Sequence, residues 1–216
     1  MVRGQVDAPI ELVIAIIILV MSMGLAFFVI QQTETGKCIN ELKTQTQQLQ
    51  QAILDVGLGS TGTQKTVRFY MPRCGDKTIE AVQFVKFTSP EFCRRCPGAY
   101  NGCWQIVPLA RTPNGLVQLN DAVVCVDLPA QRVSINPDSG QNCAVLTNSP
   151  CPSGLSGCSD RQLGLSSGAR QNSVWQTLGR EENGARHYLI TLRKDVSSSG
   201  LGFENAEIKV CAQSVA

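Results

Sequence analysis

An unbroken apolar run near the start of the chain predicts a helix long enough to cross a membrane. From Leu12 to Ile30, 19 consecutive residues carry no charge. At 1.5 Å per residue, such a helix crosses a hydrocarbon core of roughly 30 Å. Pro9 suits the first helical turn, and Glu11 interacts favourably with the positive end of the helix dipole. The helix is therefore predicted to begin near Pro9.

The helical pattern continues beyond this run, but with a single apolar stripe. The stripe follows a 3-4-3-4-3 spacing with one polar member, and consists of Ile39, Leu42, Thr46, Leu49, Ile53 and Val56. A helix from Pro9 to Val56 would be roughly 70 Å long, more than a bilayer requires. Two interpretations stay open: the stripe packs on the chain's own outer domain, or it bundles with copies of itself.

The hydrophobic period changes from helical to strand-like after residue 65. Residues 57–65 form a Gly/Ser/Thr-rich connector, in which Gly57 is placed to end the helix. Beyond it, short alternating segments are separated by turn signals; they are 66–71, 79–87, 115–119, 121–128, 131–135, 187–193 and 205–211. Residues 66–216 are therefore predicted to form one antiparallel, sandwich-like β domain, in which 140–173 is a loop region.

These patterns predict an α+β protein with four segments: a leader (1–4), a long helix (5–56), a connector (57–65) and a β-rich head (66–216). A cleavable secretory signal has a shorter apolar core of roughly 7–15 residues, followed by a small-x-small site. Here Gln31-Gln32-Thr33 follows the run. We therefore expect the helix to stay with the mature chain, the leader to face the cytoplasm and the head to lie outside.

Ten cysteines follow the apolar run, and their even number predicts disulfides formed in an oxidising compartment. They are Cys38, Cys74, Cys93, Cys96, Cys103, Cys125, Cys143, Cys151, Cys158 and Cys211. A metal site is disfavoured, because the chain has one CxxC and a single histidine, His187, far from it. Pro90 and Pro97 flank the CxxC and favour a loop over a redox motif.

Cys38 stands apart from the other nine cysteines, on the predicted helix. Because nine is odd, Cys38 must pair with the head or with another subunit, unless some thiols stay free. We expect it to reach a head cysteine, with Cys211 in the final strand as the candidate. The sequence does not select among the many possible pairings.

The sequence shows no constellation that supports catalysis. Residues 164–168 (GLSSG) match the nucleophile-elbow pattern, but that motif needs a strand before it and a helix after it. Asp127, Asp138 and Asp160 are scattered acids that fit a solvated surface. The net charge of +2 is too small to imply nucleic-acid binding. We therefore expect a protein that is not an enzyme and that uses no cofactor or metal.

The start of the sequence resembles that of archaeal type IV pilins and archaellins. Arg3-Gly4-Gln5 places a charged residue, a glycine and a glutamine directly before the apolar helix, like the class III signal of that family. The resemblance implies that a prepilin peptidase cuts between Gly4 and Gln5 on the cytoplasmic side. It also implies that the retained helix leaves the membrane and packs with copies of itself in a helical filament, with β-rich heads outside.

One position departs from the pattern of that family. Many type IV pilins carry a glutamate five residues after the cut, which is thought to neutralise the amino terminus of a neighbouring subunit. That position is Pro9 here, and the resemblance leaves Asp7 and Glu11 as the two candidate acids for the role.

The sequence therefore predicts a structural subunit of an extracellular pilus-like filament, for adhesion or motility, that begins as a membrane-inserted precursor. The alternative is a single-pass, signal-anchored surface protein whose disulfide-held β domain binds a partner. A third interpretation, an exported enzyme tethered to the membrane, would require an activity that depends on His187 or Ser167.

Overall fold

The structure is a computed structural model that describes most of the chain. The described residues are 7–93, 96, 102–128, 133–138, 140, 143–144, 146–151, 158–161, 163, 165–180, 186–197 and 205–215. The predicted leader (1–4) and the predicted processing site Arg3-Gly4-Gln5 lie outside the described residues.

A single long helix, α1 (Asp7–Leu58), opens the described part of the chain and confirms the prediction of a long apolar helix. Gly57, predicted to end the helix, is still helical. A Cβ atom there would lie 2.9 Å from Cδ1 of Leu128, so the position is small because another segment crosses the helix closely. Residues 59–63 connect α1 to the first strand, so the connection is shorter than the predicted 57–65.

Beyond the helix, the described residues form ten strands. They are β1 (Gln64–Tyr70), β2 (Arg73–Cys74), β3 (Lys77–Phe87), β4 (Cys103–Thr112), β5 (Gly115–Gln118), β6 (Val124–Val126), β7 (Val133–Pro137), β8 (Ser173–Gly179), β9 (His187–Ser197) and β10 (Asn205–Val215). A short helix, α2 (Ser167–Gln171), precedes β8, and single 3-10 turns lie at Pro90–Phe92 and Asn120–Ala122. The predicted α+β class is confirmed.

The strands make two sheets. Sheet 1 has the order β1-β9-β10-β7 and is antiparallel except for the parallel pair β10–β7. Sheet 2 is antiparallel throughout; β3 lies between β8 and β4, β2 also pairs with β3, and both β5 and β6 pair with β4. The prediction of an antiparallel head is therefore correct except for the one parallel pair.

The main hydrophobic core lies where the two sheets meet α1. The helix contributes Leu42, Leu49, Ala52, Ile53 and Val56, all fully buried. Sheet 1 contributes Phe69, Tyr188, Ile190, Leu192, Ile208 and Val210, and sheet 2 contributes Ile79, Val82, Phe84, Trp104 and Ile106. The second half of α1 is thus a core element of the head, so the connector does not separate two packing units.

A second hydrophobic cluster covers the opposite face of sheet 2. It includes Val85, Phe87, Val107, Leu109 and Trp175, with the turn and loop residues packed over them. Sheet 2 is therefore buried on both faces, and its central strands β3 and β4 have runs of five and eight consecutive buried residues, as expected for strands that are covered on both sides.

Three strands were not predicted: β2, β4 and β8. Strand β2 has only two residues, and burial explains why the other two were missed. The first eight residues of β4 are all buried, so the sequence CWQIVPLA shows no alternation. This stretch also contains Pro108, and proline is unusual in a central strand. Its carbonyl accepts a hydrogen bond from the amide of Leu119 (3.0 Å), on the side where β5 and β6 leave a gap beside β4. The missing N–H of Pro108 therefore removes no ladder bond.

Other strand predictions differ from the structure in extent. The predicted strand 121–128 is reduced to β6, because Asn120–Ala122 forms a 3-10 turn. The predicted loop region 140–173 holds, among its described residues, a single bridge between Thr147 and Thr177 of β8 and the short helix α2. Where that region is described, it is mostly irregular, as predicted.

All ten cysteines pair within the chain, which confirms the predicted disulfides. The bonds are Cys38–Cys74, Cys93–Cys103, Cys96–Cys125, Cys143–Cys211 and Cys151–Cys158. The expectation that Cys38 reaches a head cysteine is correct, but the choice of Cys211 is wrong. Cys211 lies in β10 and bonds Cys143, whereas α1 runs past β2 and brings Cys38 within 5.5 Å (Cα–Cα) of Cys74.

Candidate functional site

The first half of α1 projects from the head as a bare apolar surface, which we call the apolar segment (Ile10–Ile30). Its large side chains are exposed by 50 to 68%. None of the most apolar 18-residue window is buried, and the helix is long and apolar enough to cross a membrane. Because these side chains lie all round the helix, the apolar segment needs lipid or protein neighbours on every side.

Two hydroxyl groups in this part of the helix are satisfied internally. The Ser22 hydroxyl donates to the carbonyl of Ile18 (2.7 Å), and the Thr33 hydroxyl donates to the carbonyl of Val29 (2.8 Å). Gly24 has no atom within 4 Å of the position a Cβ would occupy. The segment can therefore enter an apolar environment without leaving a hydroxyl donor unpaired.

The two candidate assembly acids lie at the start of the helix. Glu11 is exposed one residue into the apolar segment, and the backbone of Asp7 begins α1. The side chain of Asp7 is outside the described part of the structure. Residues four apart lie on the same helix face, so the two positions share one face.

The second half of α1 packs into the core of the head. Leu42, Thr46, Leu49, Ile53 and Val56 are fully buried. The polar member, Thr46, donates its hydroxyl to the carbonyl of Leu42 (2.7 Å), which satisfies it inside the core. Of the two interpretations of the stripe, packing on the chain's own outer domain is therefore confirmed.

Several contacts hold the head to the helix where the apolar segment emerges. The Cys38–Cys74 disulfide joins α1 to β2, and one turn earlier Thr35 lies against Gly75. A Cβ at Gly75 would be 2.8 Å from Oγ1 of Thr35, and Gly75 has a φ of +64°, which also favours glycine. Further along, Oε1 of Gln45 accepts a hydrogen bond from the amide of Tyr70 (2.7 Å). The direction in which the helix leaves the head is therefore set by covalent and polar contacts.

Removing the junction disulfide is expected to destabilise the head. The double substitution Cys38→Ser and Cys74→Ser should lower the free energy of unfolding by about 2–4 kcal/mol, because it releases a loop of 36 residues in the unfolded chain. Urea unfolding in detergent would measure the loss. Cys151→Ser with Cys158→Ser is the matched control and should cost less, because that bond closes a loop of 7 residues. A covalent ladder of the wild-type protein on non-reducing electrophoresis would contradict the pairing within one chain.

The residues considered for catalysis have structural partners. His187 stacks on Tyr70 with 4.4 Å between ring centroids. Ser166 of the GLSSG stretch caps α2, accepting a hydrogen bond from the amide of Ala169 (3.1 Å), and among the described residues no strand comes directly before it. Asp138 pairs with Arg193 and Asp160 with Arg170. In the described ranges, no group of three His, Cys, Asp or Glu side chains could hold a metal ion.

The shifted pKa values on the head belong to structural interactions of partly buried side chains. A hydrogen bond from Lys209 lowers the pKa of Asp195, helped by Arg193, and the same contact with Asp195 raises the pKa of Lys209. Both shifts favour the charged forms and so do not prepare either group for acid–base chemistry near neutral pH. Burial lowers the pKa of Lys86, whose Nζ lies 5.9 Å from the ring centroid of Trp104.

Sequence reasoning missed the residues of the head that meet the base of the apolar segment. Arg73, Gly75 and Asp76 lie beside the helix because the β2–β3 turn is bonded to it through Cys74. The one feature of the sequence that could have pointed to these residues was Cys74, but the sequence did not identify the cysteine to which it bonds.

Comparison with known proteins adds no relative from which a function could be inferred. The chain matches no family model, no curated protein and no solved structure.

Proposed function

We propose that this chain is the structural subunit of an extracellular pilus-like filament, assembled by packing of the apolar segments of many copies. The observation that supports the proposal is the contrast between the two halves of α1. The second half buries its stripe in the head, whereas the first half is apolar all round and exposed along its length. A disulfide-braced head at one end and a bare apolar rod at the other suit a filament with a helical core.

The energetics of such a core are favourable. In the membrane, lipid already satisfies the apolar side chains, so helix association there depends on close packing more than on the hydrophobic effect. Outside the membrane, the same side chains must be buried by neighbours, at roughly 1.5–3 kcal/mol for each large side chain. Once extracted, a subunit is therefore held in the filament by many buried side chains, and small residues such as Gly24 permit close approach.

The proposed route starts with a membrane-inserted precursor. The resemblance of Arg3-Gly4-Gln5 to the class III signal supports cleavage after Gly4 by a prepilin peptidase. Removal of the leader would make Gln5 the new amino terminus, two residues before Asp7 in the sequence. Either Asp7 or Glu11 would then neutralise the amino terminus of a neighbouring subunit.

A second candidate function is a single-pass surface protein. It is favoured by the burial of the α1 stripe in the head, because the part of the helix outside the lipid then offers no apolar face to another copy. In this case the apolar segment stays in the membrane and the head binds a partner.

Mass spectrometry and electron microscopy distinguish the two functions. When the full chain is expressed with a class III signal peptidase, we expect a mature mass lacking residues 1–4 and filaments on the cell surface. A Gly4→Leu variant is the control; it should keep its leader, remain in the membrane and form no filaments. A wild-type chain with Met1 intact that stays monomeric in the membrane would contradict the filament and support the anchored protein.

A further inference from the structure

A groove opens where the head meets the base of the apolar segment. It lies between the helix and the β2–β3 turn, has a volume of about 820 Å³, and is lined among others by Phe28, Gln31, Glu34, Arg73 and Asp76. We call it the membrane-proximal groove. Its volume is within the range of roughly 300–1,000 Å³ typical of ligand sites.

The depth of this groove relative to a bilayer follows from the helix. The uncharged run ends at Ile30, and 19 residues at 1.5 Å each already span a hydrocarbon core of roughly 30 Å. Phe28 therefore belongs to the hydrocarbon edge, and Gln31 and Glu34 to the next turn outside it. Because Cys38–Cys74 and the Thr35–Gly75 contact hold the turn against the helix, Arg73 and Asp76 would lie at the depth of the lipid headgroups when the apolar segment spans a bilayer.

The groove carries charges of both signs that have no partner in the described part of the chain. Glu34, Arg73 and Asp76 take part in none of the ion pairs or side-chain hydrogen bonds found there. Arg73 and Asp76 are both exposed, as is Glu34. Two carboxylates and one guanidinium leave a local charge of −1, which disfavours a purely anionic headgroup.

We propose that the membrane-proximal groove binds the headgroup of an amine-bearing zwitterionic phospholipid in the membrane-inserted state. The Arg73 guanidinium donates to the phosphate oxygens, as guanidinium groups do with paired geometry. Glu34 and Asp76 accept hydrogen bonds from the ammonium group, and Phe28 contacts the first methylenes of the acyl chains. The site depends on membrane insertion of the apolar segment and not on polymerisation, so it can fail or succeed independently of the proposed filament.

Hydrogen exchange of the full chain in nanodiscs tests this site. Three kinds of disc are compared. One contains phosphatidylcholine alone, one contains phosphatidylcholine with added phosphatidylethanolamine, and one contains phosphatidylcholine with the same proportion of phosphatidylglycerol. We expect the amides of residues 74–77 to exchange about threefold more slowly with phosphatidylethanolamine than in the other two, since protection grows as 1 + [L]/Kd. The quaternary ammonium of phosphatidylcholine cannot donate to the carboxylates, and phosphatidylglycerol has no amine.

Variants distinguish lipid binding in the groove from a general effect of the membrane on hydrogen exchange. Arg73→Gln and the pair Glu34→Gln with Asp76→Asn should each abolish the slowing by phosphatidylethanolamine. Arg68→Gln is the matched control, because Arg68 is exposed on β1 and outside the groove, and it should retain the slowing. Equal exchange in all three lipids, stronger slowing by phosphatidylglycerol, or loss of the effect in the control would overturn the proposal. The proposal would also be overturned if the groove variants impaired filament assembly without changing hydrogen exchange, because the groove would then hold a neighbouring subunit.

Discussion

A fragment beginning at Lys37 is expected to fold as a monomer without detergent, whereas a fragment beginning at Thr66 is expected to be unfolded. The longer fragment omits the apolar segment but keeps the buried stripe of α1 and the Cys38–Cys74 bond. The shorter one corresponds to the β domain that the sequence outlines, and it lacks part of its own core.

The size of the expected effect follows from the side chains removed. Leu42, Leu49, Ile53 and Val56 are fully buried. At roughly 1.5–3 kcal/mol each, these four contribute about 6–12 kcal/mol, which is comparable to the whole stability of a typical domain, about 5–15 kcal/mol. The shorter fragment should therefore show no cooperative unfolding transition.

Circular dichroism, size-exclusion chromatography and urea unfolding would measure this difference, with Cys74→Ser in the shorter fragment to remove its unpaired thiol. Within the longer fragment, Leu49→Ala should cost about 2–5 kcal/mol. The neighbouring exposed change Gln48→Ala should stay within about 0.5 kcal/mol and serves as the control. If the fragment beginning at Thr66 were well folded, the β domain would not need α1 for its stability, and the expectation would be wrong.

Replacing Gly24 by leucine is expected to abolish filaments while the subunit itself remains folded and membrane-inserted. In the single chain nothing lies within 4 Å of the new Cβ. Leucine also has a higher helix propensity than glycine, by somewhat under 1 kcal/mol. In the proposed filament, however, helices surround this position, and overpacking a close approach costs about 1–3 kcal/mol at each contact. Because the cost recurs in every subunit, assembly should fail.

Electron microscopy of cells and fractionation of their membranes would test this expectation. Met23→Leu is the matched control, since it introduces the same residue one position earlier with little change in volume, and it should assemble normally. Normal filaments from the Gly24→Leu variant would show that the apolar segments do not approach closely at this point. Loss of membrane insertion in that variant would instead point to a defect before assembly.

The structure also shows why some elements could be predicted and others could not. The second half of α1 and strand β9 carry a clear period, because each buries one face and leaves the other at least partly exposed. Strand β4 is buried on both faces and interrupted by Pro108, so its period is lost. Strand β8 lies beside β3 in sheet 2 and has four consecutive buried residues, which hides its alternation in the same way.

The sequence by itself determined the long helix, its uncharged run, the change to strand periodicity and the disulfide bonding implied by an even number of cysteines, because each depends on local pattern or composition. Only the tertiary structure decided that the stripe of α1 is buried in the head and that Cys38 bonds Cys74. It also decided that Arg73 and Asp76 lie beside the end of the apolar run. These features depend on which segments meet in space, and contacts between residues distant in the chain leave no periodic signal in a single sequence.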